Sequence, residues 1–188
     1  MTAVRSARVL VLLAALAAGA QAQQPPAQPA PEPTPAPAKP AFEAQVVTTE
    51  AVHAVVLPMK GSYLQHPEAF GRLGAFISAH GITPLGPPFG RYFSDPSSVG
   101  EANLVWEVGF PVAAAVTAEA PLEIKDVPAA LTAVHVHRGP MQDLATAWAG
   151  LMQWITSNGY QPAGPATQVF KGDFMVSPEV EMRMPVRR

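Results

Sequence analysis

One stretch of this chain occurs twice, and that fact limits the fold more than any other. Leu151 to Asp173, LMQWITSNGYQPAGPATQVFKGD, repeats the layout of Leu73 to Asp95, LGAFISAHGITPLGPPFGRYFSD, with an offset of 78 and no gap. Ile77 aligns with Ile155, Gly81 with Gly159, Pro84 with Pro162, Gly86-Pro87 with Gly164-Pro165, Tyr92 with Phe170 and Asp95 with Asp173. The same offset takes Gly61 to Gly139 and Phe70 to Trp148. Glycine and proline carry special backbone dihedrals, so their recurrence in register implies the same turns built twice. A chain with such a period is expected to form two copies of one small unit that bury a shared core.

The local pattern gives the unit its order. Val46 to Met59 is apolar and β-branched, which predicts a strand. Pro67 to His80 places Phe70, Leu73 and Ile77 on one helical face, and Gly81 is suited to end that helix. Phe89 to Ser94 and Leu104 to Pro111 are the next predicted strands. A strand at Leu122 to Ile124 leads into the second copy. There Ala130 to His137 is a strand, Pro140 to Ser157 a helix, and Thr167 to Lys171 and Val180 to Val186 strands. The expectation is an α+β fold: a tandem duplication of a strand-helix-strand-strand unit about a pseudo-twofold. It has a mostly antiparallel sheet, helices packed on one side and a ligand groove between the halves. The repeats run from about 46 to 112 and 122 to 188, within a domain spanning 42–188.

Two segments precede that domain. Residues 1–22 read as a secretory signal peptide, with Arg5 and Arg8 before the apolar run Val9 to Ala18 and Ala20-Gln21-Ala22 as the cleavage site. Residues 23–41 are rich in Pro and Ala, with prolines from Pro25 to Pro40, and read as a disordered, extended linker. The expected location is therefore periplasmic or secreted, without stable membrane insertion after cleavage. Removing the signal leaves 10 bases against 14 acids, a net charge of −4. That balance argues against a nucleic-acid surface. With no cysteine in the chain, disulfide and thiolate chemistry is absent.

The last strand of each copy carries the residues of most chemical interest. Trp106-Glu107-Val108-Gly109-Phe110-Pro111-Val112 is echoed by Val180-Glu181-Met182-Arg183-Met184-Pro185-Val186. Each sets a glutamate four residues before a proline. Alternation puts Trp106, Val108 and Phe110 on one strand face and Glu107 on the other. Met182 and Met184 likewise oppose Glu181 and Arg183. The glutamate faces are then open, or turned toward a groove between the halves. Two readings follow: solvated strand glutamates, with Glu181 paired to Arg183, or a carboxylate in an aromatic-lined groove that meets a cationic or polar ligand. A desolvated carboxylate is also suited to act as a general base on water.

Other residues add less. His135 and His137 point the same way from one strand, but a zinc site needs a further ligand and the other copy has Leu57 and Met59 there. No metal or cofactor is expected, and His137 is read as lining a groove or hydrogen bonding. His53, His66 and His80 have no constellation around them. Among the aromatics, Tyr63 follows the Gly61 turn and is a candidate ligand contact together with Tyr92, while Trp148 and Trp154 suit the core. No GxSxG, P-loop or dinucleotide fingerprint occurs.

Taken together, His137-Arg138-Gly139-Pro140, Leu144, Trp148, Leu151, Trp154, Gly159, Gly164-Pro165, Asp173 and the terminal Glu-x-x-x-Pro resemble the GyrI-like domain. This is the effector-binding domain of AraC-type and MerR-type transcription regulators. The first copy is similar at Gly81, Gly86-Pro87, Tyr92, Asp95 and Glu107 to Val112. The resemblance implies a duplicated fold with a ligand groove between the halves and a last-strand glutamate, Glu181, facing cationic or aromatic ligands. It also implies a hydrolase alternative, since some members hydrolyse reactive cyclopropane-containing compounds. Met141 departs from the aromatic often found after the Gly-Pro. No helix-turn-helix precedes the domain, so an exported protein that binds or senses a small organic, amphipathic or cationic ligand is expected. Two further expectations are a hydrolase using a groove glutamate and a protein-interaction module on a proline-rich stalk. The candidate site comprises Glu181, Glu107, Tyr63, Tyr92, His137 and Arg183.

Overall fold

A computed structural model describes residues 42–172 and 178–188. The signal and linker segments, and Asp173, lie outside the described residues. The chain forms strands β1 (Gln45–Thr49) and β2 (Val52–Lys60), helix α1 (His66–Ala79), and strands β3 (Phe89–Tyr92), β4 (Val105–Pro111), β5 (Glu123–Val127) and β6 (Ala130–Arg138). Helix α2 (Leu144–Ser157) follows, then β7 (Gln161–Pro162), β8 (Ala166–Lys171) and β9 (Glu179–Arg187). One 3-10 turn leads into each helix, at Tyr63–Gln65 and Met141–Asp143. The bounds of β5, β6, the second turn and α2 each lie 78 residues after those of β1, β2, the first turn and α1. Gly81 and Gly159 close the two helices with φ of 59° and 76°, a left-handed conformation that glycine adopts without penalty.

The sheet is antiparallel throughout its recorded pairings and runs β1-β6-β9-β8-β3-β4-β2-β5, with short β7 on β9. That order reads the same from either end once the offset is applied. The register obeys the same symmetry. At the seam, Phe89 pairs with Val169 and Arg91 with Thr167, while Gly90 faces Gln168, its own counterpart. At the margins, Gln45 pairs with Val134 and Val56 with Glu123, so each half lends its first strand to the other. The single strand expected over Val46 to Met59 is therefore two strands. The chain breaks at Glu50-Ala51, and the two pieces pair in opposite halves of the sheet.

Both helices cover one face of the sheet. Ala69, Leu73 and Ile77 of α1 pack on Val55, Leu57, Trp106 and Val108. Ala147, Leu151 and Ile155 of α2 pack on Ala133, Val180, Met182 and Met184. Leu73, Leu151 and Ile155 are fully buried, and burying a side chain of that size contributes about 1.5–3 kcal/mol. Phe70 joins both clusters and meets the Phe170 ring edge-on at 5.4 Å, which ties the halves together on the helix side. The opposite face carries a smaller cluster of Ala54, Val56, Phe89 and Val169. No helix of the described residues is long and apolar enough to cross a membrane.

Candidate functional site

Alternation along β4 and β9 sends Glu107 and Glu181 to the helix-free face, as the sequence pattern requires. Neither stands open to bulk water. Glu107 is 1% exposed; Arg91 Nη1 donates to its Oε1 at 2.8 Å and Lys125 Nζ to its Oε2 at 2.9 Å. Lys171 donates to Oε2 of Glu181, and Arg183 donates from Nε to Oε1 at 2.6 Å. For Glu181, burial works toward a higher pKa, but the hydrogen bonds and charges of Lys171 and Arg183 outweigh it and hold the carboxyl below its ordinary range. The Lys125 pKa is raised, because the hydrogen bonds it donates to Glu107 and Glu123 outweigh its desolvation. Each acid is thus shared between two cations. The Glu181–Arg183 contact is the pairing weighed from sequence, with Lys171 added to it.

Direct cross-strand partners share a face. The pairings Glu107–Arg91, Arg91–Thr167 and Thr167–Arg183 therefore lay one polar row across β4, β3, β8 and β9 on the helix-free side. Beside the centre of the row lies a hollow of about 170 Å³, bounded by both halves. Arg91, Thr167 and Arg183 form part of its wall, with Thr49 and Thr132 beyond them. The turns at Glu50 and Pro128 and the Gly164-Pro165 loop close its sides. The hydroxyls of Thr49 and Thr132 lie 3.3 Å apart, and each also donates to Ala130 O at 3.1 Å.

Tyr63 and Tyr92 lie elsewhere, on the helix side. With Phe70 and Trp106 they surround His66, whose ring centroid is 4.4 Å from that of Trp106. His66 Nε2 is 2.8 Å from the Tyr92 hydroxyl, which donates to Gln168 Oε1 at 3.0 Å across the seam. Burial lowers the His66 pKa against the opposing hydrogen bond to the Tyr63 carbonyl. Burial, with a smaller contribution from Tyr63, raises the Tyr92 pKa. The expectation that His66 has no constellation around it is corrected here: the aromatic cluster is built around it. The Tyr63 hydroxyl donates to Ser94 O at 2.8 Å, beside a broader depression of about 280 Å³ walled by Ser62, Leu64, Pro96 and Leu104.

His137 is half-buried and alternates to the face of β6 opposite the polar row; its Nε2 contacts Pro140 O at 3.1 Å. Arg91, Thr167, Lys125 and Lys171 were not singled out from sequence, because pairing across the sheet, not local pattern, brings them to the glutamates. The available signal was the repeat itself. Isologous pairing of the Phe89 to Tyr92 strand with its copy would have set Arg91 beside Thr167. No group of three or more metal-binding side chains occurs among the described residues.

The matched family is the GyrI-like small molecule binding domain, over residues 42–187. The chain belongs to that family. This GyrI-like domain is similar to the C-terminal domain of EcmrR, with 18% identity and a TM-score of 0.70 over 78% of this chain and 98% of that one. The match to EcmrR in its DNA complex has the same identity and TM-score but covers only 58% of that chain. A hydrolase from Listeria innocua (13% identity, TM-score 0.55, 80% and 94% covered) shares the fold. So does SAV2435 bound to tetraphenylphosphonium (12%, 0.52, 78% and 94%). No curated protein matches the chain by sequence.

Proposed function

We propose that this GyrI-like domain is an exported receptor for a small amphipathic organic molecule, that it binds without turnover, and that its ligand enters the hollow on the helix-free face. The observation that carries this reading is the engagement of both glutamates by two cations each. A general base needs a carboxylate with a pKa near the working pH, whereas that of Glu181 is pushed down. The hollow meanwhile lies at the seam, the place where two packed units leave concave space. The basic residues Arg5 and Arg8 ahead of the Val9 to Ala18 run support export to the periplasm or beyond, and so does the proline-rich spacer.

A thermal-shift screen of organic acids, bases and neutral amphiphiles against the chain is the first test, since a ligand selective for the folded state raises its melting temperature. Hits recovered chemically unchanged after incubation are expected. Conversion of a hit, abolished by Glu181→Gln, would instead establish the hydrolase. A protein-interaction role draws on Leu64, 87% exposed beside the Tyr63 depression. It predicts that Leu64→Ser weakens a partner while leaving small-molecule hits intact.

A further inference from the structure

We infer that the hollow reads the anionic end of its ligand, a carboxylate on a single ring or short apolar body, through Arg91, Thr167 and Arg183. This rests on the reading above that the hollow is the ligand site. Arg91 and Arg183 come from different halves and lie on strands β3 and β9, either side of β8. Two strand spacings separate them, roughly 10 Å between backbones, with Thr167 between. Each guanidinium has five N–H donors. Arg91 spends Nη1 on Glu107, and Arg183 spends Nε and Nη2 on Glu181. Lys125 and Lys171 hold the second oxygen of each acid, so neither arginine is the sole counterion of its glutamate. Both arginines keep further N–H donors and line the hollow, and the Arg91 guanidinium also lies over the Phe93 ring, 5.2 Å from its centroid. No described group hydrogen-bonds the Thr167 hydroxyl, which leaves it for a ligand.

The rest of the wall selects what accompanies the anion. Val52, Val127, Pro128, Ala130 and Pro165 are apolar and suit a hydrocarbon or ring. Glu50 is the one carboxylate of the wall and is exposed on a turn, where water screens it. At about 170 Å³ the hollow is smaller than usual ligand clefts of roughly 300 Å³ upward, so it takes one ring and its carboxylate and leaves any longer body outside. Arginine suits this task because its planar fork matches a carboxylate in two bonds.

The test is an NMR titration of the ¹⁵N-labelled full chain with benzoate, benzamide, benzamidine and inorganic phosphate at one ionic strength. Benzoate is expected to shift the amides of Arg91, Thr167 and Arg183 saturably, at least about tenfold more tightly than the other three. Arg183→Gln is expected to weaken benzoate about tenfold. Thr167→Val, which keeps every ion pair, is expected to weaken it about threefold with the dispersed spectrum retained. Equal or tighter binding of benzamidine in the hollow would leave the hollow a ligand site and overturn the anionic assignment. Phosphate binding as tightly as benzoate would overturn the organic carboxylate, as would benzoate affinity unchanged in both variants. If no probe moves these amides, the assignment falls, and the thermal-shift screen judges the wider reading independently.

Discussion

The two halves of the sheet solve the same local problem in opposite ways. In the first half Phe89 pairs with Gly109; in the second the equivalent pair is Thr167 with Arg183. A Cβ on Gly109 would meet the Phe89 ring at 2.5 Å and Val56 at 2.9 Å, so the glycine is what leaves room for the ring over the strand. Phe89 is 6% exposed and fills the helix-free face of its half with Ala54, Val56 and Val169. Thr167 fills no such space, and the hollow opens beside it. One cross-strand pair thus decides whether a face of this backbone is core or cleft. On the helix side the contrast runs the other way: His66, Tyr63 and Tyr92 of the first half face Leu144, Met141 and Phe170 at the matching positions of the second.

The largest effect should come from emptying the filled face. Phe89→Ala is expected to cost about 3–5 kcal/mol in denaturant unfolding, against under about 1 kcal/mol for Thr167→Ala. Equal costs would mean the two faces are packed alike. Next are the acids. Glu107→Ala strands two cations around a buried site and is expected to cost about 3 kcal/mol. Glu181→Ala, where Lys171 and Arg183 are 39% and 29% exposed, is expected to cost about 1 kcal/mol. Gly109→Ala should lose about 1–3 kcal/mol through overpacking against Phe89, whereas Arg183→Ala at the equivalent position should change stability less and ligand binding more.

The smallest effect is the pH dependence that distinguishes the helix sides. The folded pKa of His66 lies below the ordinary 6.5, so the unfolded chain takes up the proton first. Its contribution to stability is complete above about 6.5 and is lost as pH falls toward the folded value. The slope cannot exceed roughly 1.4 kcal/mol per pH unit for one proton. His66→Leu, which copies Leu144, should flatten chemical-denaturation stability between pH 7.5 and 5.5. An unchanged slope would remove His66 as its source.

Much of this architecture was legible in the chain. The offset of 78 predicted that the two helices would match, and the alternation around Glu107 and Glu181 predicted the face they occupy. Glycine, proline and apolar period are local signals, and these were local questions. The break at Glu50-Ala51 was hidden because Val46 to Met59 is uniformly suited to a strand, and only pairing with opposite halves divides it. The partners of the glutamates were hidden for a related reason: Lys125 reaches Glu107 from β5, two strands away, although the two are 18 residues apart in sequence. His66 looked isolated because its aromatic neighbours come from a turn, a helix and two strands.

The most direct test of the account is a crystal structure of the chain with a ligand recovered from the thermal-shift screen. The account predicts that molecule on the helix-free face, beside Thr167 and Arg183 and under the Gly164-Pro165 loop, with Phe70 and Phe170 still in contact. A ligand seated instead between α1 and α2, with those two rings driven apart, would contradict it.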